Sequence, residues 1–277
     1  YETALYVWFG VTLLATAACV WLVWRTRRSP DTTGWATTVL LLGAPGLHFS
    51  LSFGQASVLA LVCFTALWLA LVHQRPFLAG VAIGALAYKP QLGVVAAVVC
   101  VFGAEWKMVA GAAASVAAQA LAVLAYWGTA IAPAYVSALR HLPSVIDGME
   151  PDKAHMHSWR SLLLQLGMTA GPALATSLVL SLATLVLAVA VWRTRGALAL
   201  RFAVLSVATV LVNPHVLGYD LLLLLPGLLV TWDWTNRHGQ WPLKATTALV
   251  YAAPILTIGL EHMPVQWSVP AMAGLGT

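Results

Sequence analysis

Apolar runs long enough to cross a lipid bilayer, separated by short polar breaks that hold most of the basic residues, leave this chain few ways to fold. Residues 4 to 24 contain no charged side chain and stop at Arg25, Arg27 and Arg28, which suits a helix of about 30 Å crossing a hydrocarbon core once. In lipid each backbone N–H and C=O needs an internal partner, so such runs fold as helices. The chain is 61% hydrophobic and 8% charged, with a mean hydropathy of +0.85, whereas soluble domains carry about 25% charged residues. The reading is all-α: one transmembrane domain over residues 1–277, a polytopic helix bundle of about ten membrane segments without a soluble domain. The net charge of +5 sits in clusters at the ends of apolar runs, where it sets topology and gives no sign of nucleic acid. Cys19, Cys63 and Cys100 lie inside apolar runs without metal-ligand spacing and read as buried thiols.

Taken in order, a second run from Trp35 to Leu51, broken by Gly43, Pro45 and Gly46, leads to Phe53-Gly54-Gln55, and a third from Ala56 to Val72 returns to His73-Gln74-Arg75. The next two, Phe77 to Tyr88 and Leu92 to Ala104, flank Lys89-Pro90-Gln91. Each would be about 18 Å long as a helix, too short to cross alone. They form either one kinked span or a hairpin that turns inside the membrane. With a hairpin, 10 of the 14 Lys and Arg residues fall on the cytoplasmic side and 4 (Lys89, Arg140, Lys153, Arg160) outside. A single crossing evens the split to about 7 against 6, so the excess of inner positive charge favours the hairpin. Met108 to Ile131 then goes out, 132–160 is an extracytoplasmic loop, and Ser161 to Met168 is amphipathic. Runs at 172–192, 197–212, 216–232 and 243–260 complete the bundle.

On that topology six of the eight histidines and six of the nine acids lie outside, which points to a polar cavity opening outward, with simple basic anchors inside. Lys89, beside a proline that frees backbone carbonyls, sits where an ammonium needs an anion, such as the phosphate of a lipid-linked substrate or an acidic partner. Asn213-Pro214-His215 and Tyr219-Asp220 interrupt two apolar runs. His215 and Asp220 suit proton transfer or sugar hydroxyls, although five residues of helix would not put them on one face. Arg160 opens an apolar segment, and its guanidinium fork would suit a phosphate. His155 and His157, with His141, make a weak metal pair in a loop, so no metal is expected.

Phe53-Gly54-Gln55, the stretch from Arg75 through Ala79-Gly80 to Lys89-Pro90-Gln91, the Ser158 to Gly167 segment and Asn213-Pro214-His215 to Asp220 together resemble glycosyltransferase family 87. These are integral-membrane enzymes of the GT-C class, similar to polyprenol-phosphate-mannose-dependent mannosyltransferases. The match lies in the order and spacing of short motifs along nearly the whole chain. The resemblance implies a cell-envelope enzyme, multi-pass in the inner or plasma membrane. It would move a hexose, with mannose the family's usual choice, from a polyprenyl-phosphate donor to a lipid or glycan acceptor on the extracytoplasmic face, without a cofactor. Lys89 and Arg160 would hold the donor phosphate, Gln55, Tyr219 and His157 would add binding contacts, and His215 with Asp220 would face the sugar or acceptor. Such enzymes take an acidic general base from their first extracytoplasmic loop, whereas Tyr1-Glu2-Thr3-Ala4-Leu5 reads as the start of a later span. The resemblance therefore implies that the N-terminal part is missing, leaving the base unidentified and only His215 and Asp220 as catalytic candidates, in a fragment expected to be inactive alone. A secondary transporter, or a non-catalytic scaffold binding a lipid carrier, are the rival readings; a transporter would favour internal repeats and polar residues at both faces.

Overall fold

A computed structural model describes residues 2–27, 43–149, 156–194, 196–259 and 267–276. Its elements are helical: α1 (Glu2–Arg25), α2 (Pro45–Ser52), α3 (Ser57–Val72), α4 (Pro76–Gly84), α5 (Pro90–Phe102), α6 (Trp106–Trp127), α7 (Ile131–Met149), α8 (Trp159–Gln165), α9 (Ala170–Arg193), α10 (Leu198–Val212), α11 (Leu225–His238), α12 (Trp241–Gly259) and α13 (Ser268–Gly276). Short 3-10 helices occupy Ala85–Tyr88 and Gly218–Leu224. Among the described residues the only extended pairing is one bridge, Met156 with Leu217.

Three described helices, α1, α6 and α9, are long and apolar enough to cross a membrane. That is fewer than the expected ten segments, because α3, α5, α10 and the α4 stretch with its 3-10 extension are apolar but shorter. The expected run over 35–51 lies partly outside the described residues. Leu14 (73% exposed), Leu121 (66%) and Val179 (67%) stand on the outer faces of the three long helices. Apolar surface of that extent belongs against lipid tails, and the chain is an integral membrane protein.

Prolines set where several of these helices begin. Pro45, Pro76, Pro90 and Pro226 each occupy a first-turn position, where the missing N–H costs nothing. Pro226 also explains why 216–232 is not the single helix that hydropathy suggests. A proline inside an α-helix removes the bond to the carbonyl four residues back and clashes with it. The chain accordingly runs as a 3-10 helix up to Leu224 and becomes α-helical from Leu225.

Pro90 acts on the residue before it in the same way. A residue preceding proline is pushed out of the helical region, and Lys89 lies at φ −137° and ψ 70°. The chain doubles back there. Ser57 and Lys89 both reach Asp220, while at the far end of α5 Glu105 lies with Trp192 and Arg201. α6 then runs alongside α4. A Cβ at Gly80 would collide with the backbone of Met108, one at Gly84 with that of Ala112, and one at Gly111 with the carbonyl of Phe77. This small-residue seam lets two helix backbones approach closely, as packing without a hydrophobic drive between helices requires.

The principal core lies between α3, α4, α5 and α10. Phe64 and Phe202 are fully buried with centroids 6.3 Å apart, and Trp68 lies 5.2 Å from Phe202. Cys19 and Cys100 are buried and Cys63 partly so, all as free thiols. Two helices add to the sequence reading. Within the expected 132–160 loop, Ile131–Met149 is helical, attached to α6 through Gly128 at φ 76°. α13 is a further helix beyond the expected last span.

Substituting Gly80→Ala should force α4 and α6 apart and lower stability by about 1–3 kcal/mol, the cost of overpacking a close seam. Thermal unfolding of the detergent-solubilised protein, with the exposed Gly171→Ala as control, would show it.

Candidate functional site

Asp220 is the most deeply buried carboxylate among the described residues, at 1% exposure, and an uncompensated charge there would cost several kcal/mol. Its compensation comes from three directions. Lys89 forms an ion pair with Oδ1. Ser57, the first residue of α3, donates its hydroxyl to the same oxygen at 2.9 Å. The backbone N–H of Leu217 reaches Oδ2 at 3.4 Å, closing the first turn of the 3-10 helix. Lying at the start of α3, the carboxylate also meets the positive end of that helix dipole.

Each of these positions follows from local sequence. Lys89 is turned out by Pro90, as above. The 218–224 segment is held by α2 through two glycines: a Cβ at Gly46 would lie 2.5 Å from Leu222 N, and one at Gly218 would lie 2.7 Å from the Phe49 ring. Gly54, at φ 60°, makes the turn from α2 towards α3, and Ser50 Oγ closes it by donating to the Gln55 carbonyl at 3.1 Å. Gln55 thus stands one turn of chain from Ser57.

The Lys89 side chain is 21% exposed. Its ammonium lies 4.9 Å from the centre of the Tyr219 ring, a cation–π distance, and Phe53 meets Tyr219 edge-on at 6.3 Å. Tyr88 donates its hydroxyl to the Ala56 carbonyl at 3.4 Å. With one N–H directed at Asp220 and the ring beside it, the ammonium keeps donor capacity towards its exposed side.

The second half of the site is the irregular strand of chain before Asp220. His157 N donates to the Val216 carbonyl at 2.7 Å, next to the Met156–Leu217 bridge. Ser158 Oγ donates to the Pro214 carbonyl at 3.2 Å and also receives Ser161 N at 3.4 Å, so it caps α8. These bonds bring Arg160, at the start of α8, and the 213–217 segment together. Asn213 Oδ1 accepts the His215 N–H at 3.0 Å. Asn213 is 3% exposed and its Nδ2 has no partner, and Nε of Arg160 is likewise buried without one. Buried donors of this kind are unusual in folded proteins and suit a ligand oxygen.

The structure therefore gathers Lys89, Tyr219 and Asp220 in one cluster with Gln55 close by in sequence to Ser57, and ties His157 and Arg160 to the 213–217 segment that leads into it. His215 lies on that segment, and Asp220's side chain is held by Lys89, Ser57 and the Leu217 N–H. His157 is buried and its Nδ1 is 2.6 Å from Ser268 Oγ on α13. It acts as a tie between segments here, and its ring is turned into the protein. Among the described residues no three of His, Cys, Asp and Glu stand together as metal ligands. His155 falls outside the described residues, and His141 Nδ1 lies 2.8 Å from the Ser137 carbonyl on its own helix.

Sequence reasoning missed Ser57 and Ser268. A lone serine opening or closing an apolar run reads as a helix cap, and nothing local announces a partner 163 or 111 residues away.

If Asp220 depends on Lys89 for compensation, Lys89→Met alone should cost about 3 kcal/mol of stability, and Lys89→Met combined with Asp220→Asn should recover most of it. Comparing thermal midpoints of the two variants checks this without any assay of function.

The chain matches the family model for glycosyltransferase family 87 over residues 1–214. That span takes in Ser57, Lys89, Arg160 and Asn213 and stops just short of His215, Tyr219 and Asp220. No curated protein and no solved structure matches the chain. On the extent of the family match, the chain belongs to glycosyltransferase family 87.

Proposed function

We propose that the protein transfers a hexose, mannose being the family-weighted choice, from a polyprenyl-phosphate donor to a lipid or glycan acceptor at the membrane end where Lys89 and Asp220 meet. Membership of the family supplies glycosyl transfer. The observation that carries the site is the Lys89–Asp220 pair, brought together across 131 residues at one end of an apolar bundle.

In this reading the donor enters from the bilayer with its prenyl tail among the helices and its phosphate at the Lys89 ammonium. The acceptor oxygen attacks the anomeric carbon while its proton passes to solvent water, the bond from that carbon to the phosphate oxygen breaks, and the polyprenyl phosphate leaves with an added negative charge. A cation already held in place by Asp220 stabilises that charge as it develops, with little reorganisation. Asp220 is a positioning residue. Its oxygens are occupied by Lys89, Ser57 and Leu217 N–H, which fixes the ammonium and leaves the carboxylate poorly suited to accept a proton. Arg160 and Asn213 offer further N–H groups to the phosphate or sugar. Tyr219 stands beside the Lys89 ammonium and Gln55 two residues before Ser57, and in this reading the segment carrying His215 faces the acceptor. The GT-C architecture, with this mouth outside the cytoplasm of a multi-pass inner or plasma membrane protein, completes the proposal; the donor is a substrate, and no cofactor enters the reaction.

Incubation of the full-length protein with labelled polyprenyl-phosphate hexoses tests the activity directly. Lys89→Ala should lower transfer by about 100-fold, the scale of losing one donor to a developing oxyanion, with Lys89→Arg retaining part of the rate. Transfer unchanged by Lys89→Ala would remove the phosphate assignment. For orientation, single cysteines at position 141 should react with a membrane-impermeant thiol reagent from outside intact cells, and those at 107 and 193 only after permeabilisation. The reverse pattern would turn the site to the cytoplasm.

A further inference from the structure

The opposite end of the bundle holds a second polar site. α3 runs from Ser57, at the Asp220 cluster, to Val72, which lines a cavity of about 420 Å³. Sixteen residues of helix put the two about 24 Å apart. α10 spans the same interval from Leu198 at the cavity to Val212, and α11 reaches the cavity at its C-terminal end. From the sequence, simple basic anchors are expected at this end. The structure instead places a carboxylate among them, because Asp233 and Arg237 are one helical turn apart and pair at 3.2 Å.

Among the described residues the cavity wall carries Arg27, Arg237 and one carboxylate, Asp233; Arg27 Nε donates to the Trp24 carbonyl at 3.4 Å and its guanidinium lies 5.1 Å from the Trp24 ring. Burial pushes the Arg27 guanidinium below its ordinary range, and the Asp233 charge pulls it back up. Trp68 and Trp234 form aromatic walls. Trp68 is fixed by donating Nε1 to Thr26 Oγ1 at 2.9 Å, and Trp234 by stacking on His238 with centroids 4.2 Å apart. Basic pockets between transmembrane helices at the membrane surface are the usual receptacle for anionic lipid headgroups, and paired guanidiniums suit phosphate oxygens better than ammonium groups do.

We propose that this cavity holds the phosphate of an anionic membrane lipid headgroup, a site separate from the donor site and independent of the glycosyl-transfer reading. Arg27 and Arg237 bind the phosphate, Asp233 keeps Arg237 in place, and the tryptophans sit at headgroup depth beside it.

The test uses the full chain purified in detergent, with native mass spectrometry against phosphatidylglycerol and phosphatidylcholine, and thermal unfolding with inorganic phosphate as a separate arm. Phosphatidylglycerol should be retained at one per chain in preference to phosphatidylcholine. Arg237→Gln should weaken retention by about tenfold, the scale of losing one charge-assisted bidentate contact, and Asp233→Asn, which removes the competing anion, should strengthen it. A purely structural role for the ion pair would move both variants in the same direction. Lys89→Met combined with Asp220→Asn, which leaves no uncompensated charge, should leave retention unchanged, so this result and the donor assignment fail separately. Equal retention of the two lipids, same-sign effects of the two variants, or stabilisation by inorganic phosphate without any lipid preference would overturn the proposal. If Arg237→Gln does not fold, the sign of the Asp233→Asn effect still decides.

Discussion

A carboxylate that is 1% exposed inside a bundle made largely of alanine, valine and leucine can exist only if other groups are brought to it. Asp220 recruits one from the α4–α5 turn, one from the start of α3 and one from its own 3-10 helix. These elements are otherwise joined by apolar contacts, which fix distance poorly and direction hardly at all. Directional bonds to a single pair of oxygens give the membrane end its register. Breaking a buried pair by removing one partner is far more damaging than never having built it. The cluster therefore constrains the fold as well as the chemistry.

Much of the architecture is legible in the chain, for reasons that can be stated residue by residue. Runs such as 4–24 and 172–192 read directly as helices because length and absence of charge suffice. The turn at Lys89 is legible from its proline, which pushes the preceding residue out of the helical region. Segment 216–232 is not, because hydropathy averages over Pro226 and so misses the change from 3-10 to α-helix. The helix at Ile131–Met149 hides in a stretch whose polar residues read as loop.

The candidate site divides in the same way. Lys89, Asp220 and Tyr219 announce themselves as polar groups where apolar ones are expected. Their partnership does not, since it depends on a contact 131 residues long. Ser57 is silent for the same reason. His215 and Asp220 stand close in sequence, and the carboxylate's bonds go to Lys89, Ser57 and the Leu217 N–H. The polar cavity at the opposite end went unread because Arg27, Asp233 and Arg237 each look like ordinary interfacial charges.

The glycine seam between α4 and α6 has a mechanical consequence. α6 has 22 residues, about 33 Å, and beyond the seam Leu121, Tyr126 and Trp127 are largely exposed. Its exposed length would lie against acyl chains. Thinning of the bilayer would be absorbed by tilting this one rod about its glycines, so membrane thickness would be felt at α6 first, while the shorter helices around Asp220 keep their spacing.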